Sequence, residues 1–263
     1  MLKRQGIRPI KRLGQNFLID KGVLKKIIKT AELNSEDTVL EIGPGTGVLT
    51  LALAEKAKKI IAVEKDVRMI KILEENLRDF KNVEVIQSDI LKLRMEIKNY
   101  KIVGNLPFYL TAPVIRRFLE LELVETKPQP NLMALIVQKE VAQRICAKPP
   151  KMNLLAASVQ FYAKPEIISY VSKSCFFPKP KVDAAIIKIT PTTPLTEDRD
   201  LFFKVVKAGF SYPRKQLINN LSKVLKMDKE KVKNWLLKNG VSPAQRAETL
   251  NIKEWLALTK AFP

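Results

Sequence analysis

Segments with a strand-like pattern of hydrophobic positions alternate with segments with a helical pattern along the first 190 residues of the chain. Short apolar runs, such as TVLEIG at 38–43 and KKIIAVE at 58–64, are typical of buried strands. Between and around them, residues 20–32 and 66–80 repeat their apolar positions at helical spacing, and Asp66 is a candidate N-cap. This order of strand and helix predicts a parallel sheet with helices on both faces.

The same criteria predict the other elements of this part of the chain. Further strands are expected at 82–89, 101–105 and 132–138, with closing strands in PEIISYVS and VDAAIIKI. Further helices are expected at 48–57, in KEVAQRI, and in PVIRRFLELE, where Pro113 suits a first-turn position.

The pattern changes around TPTTPLTED at 190–198. After this segment the chain contains only helix-like stretches: DLFFKVVKAGF, RKQLINNLSKVL, KEKVKNWLLKNG and NIKEWLALTKAF. The sequence therefore predicts an α/β domain over 1–191 and a small all-helical domain over 192–263.

The chain is strongly basic, with 47 Lys and Arg against 27 Asp and Glu and a net charge of +20. Basic side chains replace the counterions of a polyanion, so this charge favours a nucleic acid partner. A solvated lysine-rich surface, as in heat-adapted proteins, is the alternative. An anionic membrane is less favoured, because no basic amphipathic helix with aromatic anchors stands out.

The absence of histidine limits the chemistry that the chain can perform. It excludes His-containing catalytic triads, His-ligated metals and imidazole bases. Cys146 and Cys175 are single and far apart, which indicates neither a disulfide framework nor a zinc ribbon and favours a reducing compartment. No apolar run approaches the ~20 residues of a membrane span, and residues 1–12 lack a signal-peptide core. We therefore expect a cytoplasmic protein with no metal and no membrane association.

The glycine-rich loop EIGPGTG at 41–47 lies between a predicted strand and a predicted helix. Glycines let a backbone approach a ligand closely and present N–H groups at a helix start. A Walker loop would need Lys followed by Ser or Thr, and a dinucleotide loop would need glycine where Val48 stands. The E-x-G-x-G-x-G loop of S-adenosylmethionine-dependent methyltransferases matches at every position, which predicts a Rossmann-like fold of that class.

Two acidic residues close the strands that follow this loop. Glu64 is placed to accept from the ribose hydroxyls of a nucleoside cofactor, and Asp89 to accept from an adenine amino group. Either could instead be a helix cap, although Asp66 is the better cap for its helix. Ligands of open α/β sheets bind at the carboxyl ends of the strands, which favours the cofactor interpretation. NAD is the second candidate cofactor, since Glu64 would also exclude a 2′-phosphate.

The segment GNLPF ends the fourth predicted strand at the same sheet edge. The Asn105 side-chain oxygen and the Leu106 carbonyl could accept both N–H groups of an exocyclic adenine amine, which is otherwise a poor nucleophile. Pro107 fixes the turn, and Phe108 could stack on the base at ~1–3 kcal/mol. Orienting this amine beside an activated methyl group requires no histidine. The alternative is a strand-end turn with a core phenylalanine.

Seven segments resemble the KsgA-type small-subunit ribosomal RNA adenine dimethyltransferases in order and spacing: KRLGQNFLID, TVLEIGPGTGVLT, AVEKD, QSDIL, GNLPFYLTAPVI, VQKEVAQRI and CFFPKPKVDAAI. The resemblance covers about residues 11–190, and FSYPRKQLINNL in the tail is also similar. It implies a mostly parallel seven-stranded catalytic domain and a helical RNA- or ribosome-binding domain. It further implies S-adenosylmethionine as the cofactor and four methyl transfers to N6 of two adjacent adenosines. These adenosines would lie in a hairpin loop near the 3′ end of small-subunit rRNA, and the reaction would belong to late subunit maturation.

The resemblance and the motifs above give two sets of candidate residues. The cofactor-binding set is Asn16, Leu18, Gly43, Gly45, Glu64, Lys65, Asp89, Ile90 and Asn105. The catalytic set is Asn105, Leu106, Pro107, Phe108 and Phe176, in which Phe176 would flank the target base opposite Phe108 unless it is simply a core residue. The chain departs from the family at Phe108, where many relatives carry Tyr, and at Ala184, where Ser is usual.

A third set consists of basic residues that could contact RNA: Arg4, Arg8, Lys11, Arg12, Arg116, Arg117, Lys148, Lys151, Arg214 and Lys215. Each alone is also compatible with a solvated surface charge. A buried cofactor requires the target base to leave its stack, which favours a loop over duplex RNA. The expected partner is an immature small subunit, and the expected state of the protein is a monomer.

Three alternatives remain. The large-subunit rRNA methyltransferases of macrolide resistance share the fold and an Asn-Ile-Pro-Tyr-like turn, although GNLPF and FFPKPKVD favour the small-subunit group. A non-catalytic RNA-binding assembly or transcription factor could use the same fold. An NAD oxidoreductase is disfavoured by Val48.

Overall fold

A computed structural model describes residues 14–119, 129–193 and 198–263 of the protein. Within these ranges the chain divides into two compact units. The α/β unit comprises residues 14–119, 129–142 and 165–191, and the helical unit comprises residues 143–164, 192–193 and 198–263. Among the described residues, no helix has both the length and the apolar character that crossing a bilayer requires.

The described strands are β1 Phe17–Leu18, β2 Thr38–Ile42, β3 Lys59–Glu64, β4 Val83–Gln87, β5 Tyr100–Asn105, β6 Leu132–Gln138, β7 Ala163–Val171, β8 Phe176–Phe177 and β9 Ala184–Pro191. Seven of them form one sheet in the order β4-β3-β2-β5-β6-β9-β7. Neighbours from β4 to β6 pair in parallel, whereas β9 is antiparallel to β6. The prediction of a mostly parallel seven-stranded sheet is therefore confirmed. β1 and β8 form a separate antiparallel pair.

The helices of the α/β unit begin where the sequence offers caps. They are α1 Lys21–Thr30, α2 Val48–Ala54, α3 Val67–Leu77, α4 Thr111–Leu119 and the first part of α5 Lys139–Ile145, whose residues 143–145 belong to the helical unit. The Asp20 carboxylate accepts from Val23 N–H at 2.8 Å at the start of α1. Asp66 caps α3 by accepting from Arg68 N–H at 3.1 Å, which confirms the predicted cap. Pro113 lies in the first turn of α4, as predicted.

The core of the α/β unit lies between the sheet and the helices that cover it. Ile27 of α1, Leu53 of α2 and Val103 of β5 are completely buried. β6 is buried over six consecutive residues, as expected for a parallel strand covered on both faces. Because β2 to β5 run parallel, their carboxyl ends meet at one edge, which is where ligands of such sheets bind.

The helical unit contains α6 Leu154–Tyr162, α7 Arg199–Gly209, α8 Leu217–Leu225, α9 Lys229–Lys238 and α10 Ile252–Lys260. The ring centroids of Phe161 and Phe202 lie 4.4 Å apart in its core. A Cβ atom on Gly209 would lie 2.3 Å from the Trp255 ring, so glycine allows α7 and α10 to approach closely. These helices therefore form a second core of their own.

The helical unit differs from the sequence prediction in two respects. Residues 143–164 were expected in the first domain, but their contacts group them with the C-terminal helices. The reason is α6, whose sequence LLAASVQFY is apolar on most sides, so it shows no helical period, and whose Phe161 packs on Phe202. The second difference is that α8 begins at Leu217, so Arg214 and Lys215 precede this helix and do not begin it.

Candidate active site

A cavity in the α/β unit lies at the carboxyl ends of β2, β3 and β5. Its lining includes every residue predicted to bind cofactor or target base: Asn16, Leu18, Gly43, Gly45, Glu64, Lys65, Asp89, Ile90, Asn105, Leu106, Pro107, Phe108 and Phe176. The fold thus brings together residues that are up to 160 positions apart in the chain, from Asn16 to Phe176.

The glycine loop needs glycine for two different reasons. Gly43, Gly45 and Gly47 have φ angles of 68°, 58° and 84°, in the left-handed region that disfavours other residues. A Cβ atom on Gly45 would also lie 2.9 Å from Cε1 of Phe17. Phe17 was not among the predicted residues, because its position depends on the two-residue strand β1, which is too short to recognise from periodicity.

The Glu64 carboxylate is held by three backbone N–H groups. Oε2 accepts from Gly45 at 3.1 Å, and Oε1 accepts from Lys65 and Asp66, each at 2.8 Å. Burial raises the pKa of Glu64, and these hydrogen bonds partly oppose the rise. Since a carboxylate has about four acceptor positions, the group is fixed yet can still accept from a ligand.

Glu41 is a second buried carboxyl group in the cavity wall, and it was not among the predicted site residues. It is only 1% exposed, and Oε2 has no hydrogen-bond partner within the described ranges. Burial raises the pKa of Glu41 to about 8, and the nearby charge of Glu64 adds to this rise. The signal in the sequence was a carboxylate inside the otherwise apolar strand β2.

Asp89 lies in a more polar environment than the two glutamates. Oδ2 accepts from Lys65 Nζ at 2.9 Å, and Oδ1 accepts from Leu91 N–H at 3.0 Å. The hydrogen bond from Lys65 lowers the pKa of Asp89, so its carboxylate is charged at neutral pH. Ile90, beside it, is 4% exposed and forms an apolar part of the wall.

The Asn105 amide is oriented by one hydrogen bond. Its Nδ2 donates to the Asn16 carbonyl at 2.8 Å, which leaves Oδ1 as the acceptor. Leu106 N–H donates to the Ile136 carbonyl at 3.1 Å, whereas the Leu106 carbonyl accepts no hydrogen bond in the described part of the chain. Leu110 N–H donates to the Pro107 carbonyl at 2.9 Å and closes the turn. This turn therefore presents two oxygen acceptors, as the predicted amine site requires.

Two aromatic rings contribute to the same cavity. Phe108 is partly buried in the turn after β5. Phe176 is 5% exposed, pairs with Leu18 across the β1–β8 ladder and belongs to the buried core cluster. Phe176 is therefore both a core residue and part of the cavity wall, two interpretations that the sequence left as alternatives.

The predicted RNA-contacting residues fall into three groups. Arg4, Arg8, Lys11 and Arg12 lie outside the described residues. Arg116, Lys148, Lys151, Arg214 and Lys215 are exposed. Arg117 instead donates to the Leu91 carbonyl at 2.6 Å and also to the Leu93 carbonyl, so its guanidinium supports that segment. A contact between Arg117 and RNA stays a prediction.

The model of the ribosomal RNA adenine dimethylase family matches residues 8–262 of the chain. The protein belongs to this family. It is therefore an S-adenosylmethionine-dependent methyltransferase with the predicted Rossmann-like fold.

Relatives of this ribosomal RNA adenine dimethylase include proteins named ribosomal RNA small subunit methyltransferase A. The one from Dehalococcoides mccartyi is 44% identical, over 98% of this chain and 90% of the relative. The one from Clostridium botulinum is 43% identical, over 93% of this chain and 90% of the relative. At this coverage the similarity includes both units of the chain.

Two solved structures resemble the dimethylase over most of its length. The 23S rRNA methyltransferase ErmE has a TM-score of 0.80 and 27% identity, covering 94% of this chain and 99% of ErmE. A dimethyladenosine transferase from Plasmodium falciparum has a TM-score of 0.77 and 28% identity, covering 92% of this chain and 95% of the transferase.

The residues of the cavity fit the cofactor of the family. Among the described residues the buried Glu41 Oε2 has no hydrogen-bond partner, and the glycines of the loop, which its positive φ angles favour, leave space for a nucleoside because they have no Cβ. Glu64 and Asp89 supply acceptors at consecutive strand ends for hydroxyl and amino groups. This set of acceptors suits a cationic nucleoside. No group of three or more Cys, Asp or Glu side chains in the described ranges is arranged to hold a metal ion.

Proposed function

We propose that this dimethylase transfers methyl groups from S-adenosylmethionine to N6 of two adjacent adenosines in small-subunit rRNA. These adenosines lie in a hairpin loop near the 3′ end, and each becomes N6,N6-dimethyladenosine. The name shared by the relatives in D. mccartyi and C. botulinum supports small-subunit rRNA as the substrate. The net charge of +20 supports a polyanionic partner.

The observation that carries the proposal is the fixed acceptor pair at the end of β5. Donation from Asn105 Nδ2 to the Asn16 carbonyl at 2.8 Å sets the direction of the amide. Oδ1 and the Leu106 carbonyl can then accept the two N–H groups of an adenine amine and favour a pyramidal nitrogen. In this geometry the nitrogen lone pair is released from the ring and can attack. Phe108 and Phe176 would hold the base between them.

S-adenosylmethionine, when bound, supplies a methyl group made electrophilic by its sulfonium sulfur. Glu64 would hold the ribose hydroxyls, and Asp89 the adenine amine of the cofactor. Asn16, Leu18, Gly43, Gly45, Lys65 and Ile90 would complete its pocket. The protein supplies orientation and exclusion of water, which is consistent with a chain that has no histidine.

The remaining basic residues would contact the RNA. Arg116 on α4 is exposed in the α/β unit, and Lys148, Lys151, Arg214 and Lys215 are exposed in the helical unit. We assign the helical unit to ribosome binding and the α/β unit to catalysis. The substrate is an immature small subunit in the cytoplasm, and the enzyme acts as a monomer.

Purified small and large subunits that lack the modification, incubated with methyl-labelled S-adenosylmethionine, test the proposal. We expect label in small-subunit rRNA only, and mass spectrometry of its 3′ fragment should show two dimethyladenosines. Label confined to large-subunit RNA would instead support the second candidate, for which the TM-score of 0.80 with ErmE is the favouring observation. Binding to subunits without turnover at any salt or magnesium concentration would support a non-catalytic assembly factor.

A further inference from the structure

Phe177 exposes an aromatic ring beside the candidate active site. Its side chain is 45% exposed, whereas its neighbour Phe176 is 5% exposed and lines the cavity. Successive side chains of a strand point to opposite faces, so β8 turns one ring inward and the next outward. A large exposed aromatic residue at this place has no role in the methyl transfer described above.

The position of Phe177 is fixed by the small sheet. Phe177 pairs with Phe17 across the ladder, and Ile19 N–H donates to the Cys175 carbonyl at 2.9 Å. Phe177 is therefore opposite Phe17 in the ladder and next to Phe176 in the chain, and both of these residues line the cavity. The exposed ring is therefore a preformed surface that adjoins the cavity.

Positive charge follows this ring directly in the chain. Lys179 and Lys181 are exposed, and neither has an ion-pair partner in the part of the chain that the structure describes. Pro178 and Pro180 restrict the backbone conformation of the segment that carries these lysines, and Pro180 also lines the cavity. An aromatic ring next to basic side chains is the combination that single-stranded nucleic acids bind, by stacking and by phosphate pairing.

We propose that Phe177, Lys179 and Lys181 form a subsite for the nucleotide next to the target adenosine. This inference rests on the proposed function, in which one of two adjacent adenosines enters the cavity and its neighbour stays outside. Phe177 stacks on the outer base, and the two lysines pair with the flanking phosphates. Stacking does not depend on base identity, so the subsite serves either neighbour of the target.

A photocrosslink locates the nucleotide. We would replace Phe177 by p-azidophenylalanine, irradiate the full-length protein on unmodified small subunits and map the crosslinked position. The expected position is the nucleotide adjacent to the adenosine that becomes methylated. The matched control carries the same analogue at Ile168, which is 46% exposed on β7 and does not line the cavity. A crosslink from position 177 to distant RNA, or none, would overturn the proposal.

Kinetics then measure the contribution of the ring and of the lysines. We expect Phe177→Ala to raise the KM for small subunits about tenfold, while Phe177→Tyr and Ile168→Ala stay close to wild type. Affinity for S-adenosylmethionine should not change in any of these variants.

The double variant Lys179→Ala/Lys181→Ala should bind small subunits with a weaker dependence on salt. The slope of log K against log salt concentration should fall by the amount expected for the loss of about two phosphate contacts. An unchanged KM in Phe177→Ala would refute the subsite, whereas wild-type protein that fails to methylate small subunits would refute the proposed function.

Discussion

The two halves of the cavity are built in different ways. The cofactor half is fixed by backbone groups: three N–H donors hold the Glu64 carboxylate, and the loop that supplies one of them has positive φ angles. The half assigned to the target base depends mainly on side chains. These are the Asn105 amide, oriented by one hydrogen bond, and the rings of Phe108 and Phe176, to which the Leu106 carbonyl adds one backbone acceptor. Backbone groups therefore fix the cofactor half, whereas the orientation of side chains decides the geometry of the half assigned to the base.

This difference implies that binding and chemistry can be separated by mutation. Changes in the cofactor half should alter the Kd for S-adenosylmethionine and leave the methyl transfer rate at saturation nearly unchanged. Changes in the base half should do the reverse. A residue that alters both would show that the two halves are coupled.

The largest effect is expected at Asn105. Asn105→Ala removes the side-chain acceptor and the bond to Asn16, so we expect kcat to fall on the order of 10²–10³, by analogy with the loss of one aligned polar group in other enzymes. The Kd for S-adenosylmethionine, measured by calorimetry, should stay within about threefold of wild type.

The control for this prediction is Asn82→Ala. Asn82 also donates to backbone carbonyls, those of Ala54 and Ala57 at 2.9 and 3.0 Å, but it does not line the cavity. This substitution should lower the stability of the protein. At temperatures below the melting temperature of the variant, its kcat should equal that of wild type. Equal losses of kcat in both variants would mean that Asn105 acts through folding alone.

The next effect is expected at Glu64. Glu64→Gln keeps the size of the side chain but replaces an oxygen that accepts N–H groups by a donor, and removes the charge. We expect the Kd for S-adenosylmethionine to rise about 10- to 100-fold, with kcat at saturation nearly retained. Glu84→Gln is the control, because the ion pair of Glu84 with Lys59 is half exposed and such pairs contribute little. A fall in kcat with unchanged Kd would reverse the assignment of the two halves.

The cofactor half was largely predictable from sequence, and the reason is physical. Apolar runs identified β2, β3 and β5, and the carboxyl ends of parallel strands meet at one edge. The loop at 41–47, Glu64 and Asp89 each follow or end a predicted strand, as does Asn105 in the base half, so their proximity follows from the sheet alone.

The contacts that fix the base half could not be predicted in the same way. The bond from Asn105 to the Asn16 carbonyl joins residues 89 positions apart, and Asn16 lies just before a two-residue strand with no detectable period. The outward turn of Phe177 depends on its register with Phe17. α6 was not predicted either, although it is long enough to show a period. A helix that is apolar on most sides gives no amphipathic signal.

Glu41 should make the stability of the protein depend on pH. Folding raises the pKa of this carboxyl from 4.5 to about 8, so the native state holds a proton that the unfolded chain releases. The contribution of Glu41 to stability is therefore fully present below about pH 4.5 and is lost as the pH rises to about 8. The pKa values of Asp66 and Asp89 are lowered, so their effects lie at more acidic pH, whereas the raised pKa of Glu64 adds to the decline.

Glu41→Gln should remove most of this decline. Between pH 5 and pH 8.5 we expect the stability of the variant relative to wild type to rise by on the order of 4 kcal/mol, or roughly 7 °C in Tm, because a shift of about 3.5 pKa units corresponds to about 5 kcal/mol. Glu55→Gln, at an exposed position after α2, is the control and should follow wild type. Parallel melting curves for Glu41→Gln and wild type across this range would contradict a buried, proton-binding Glu41.

The smallest effect compares two glycines of the loop and tests whether the halves are coupled. Alanine at Gly43 or Gly45 disfavours the positive φ of the loop, so the free loop relaxes from it. Binding must then restore this geometry at a cost of about 1 kcal/mol, and both variants should raise the Kd for S-adenosylmethionine about fivefold. A Cβ atom on Gly43 has nothing within 4 Å, whereas one on Gly45 lies 2.9 Å from Phe17, the ladder partner of Phe177. Gly45→Ala should therefore also raise the KM for small subunits, by about threefold, because it displaces β1. If Gly43→Ala raises that KM equally, the loop rather than the Phe17 contact connects cofactor binding to RNA binding.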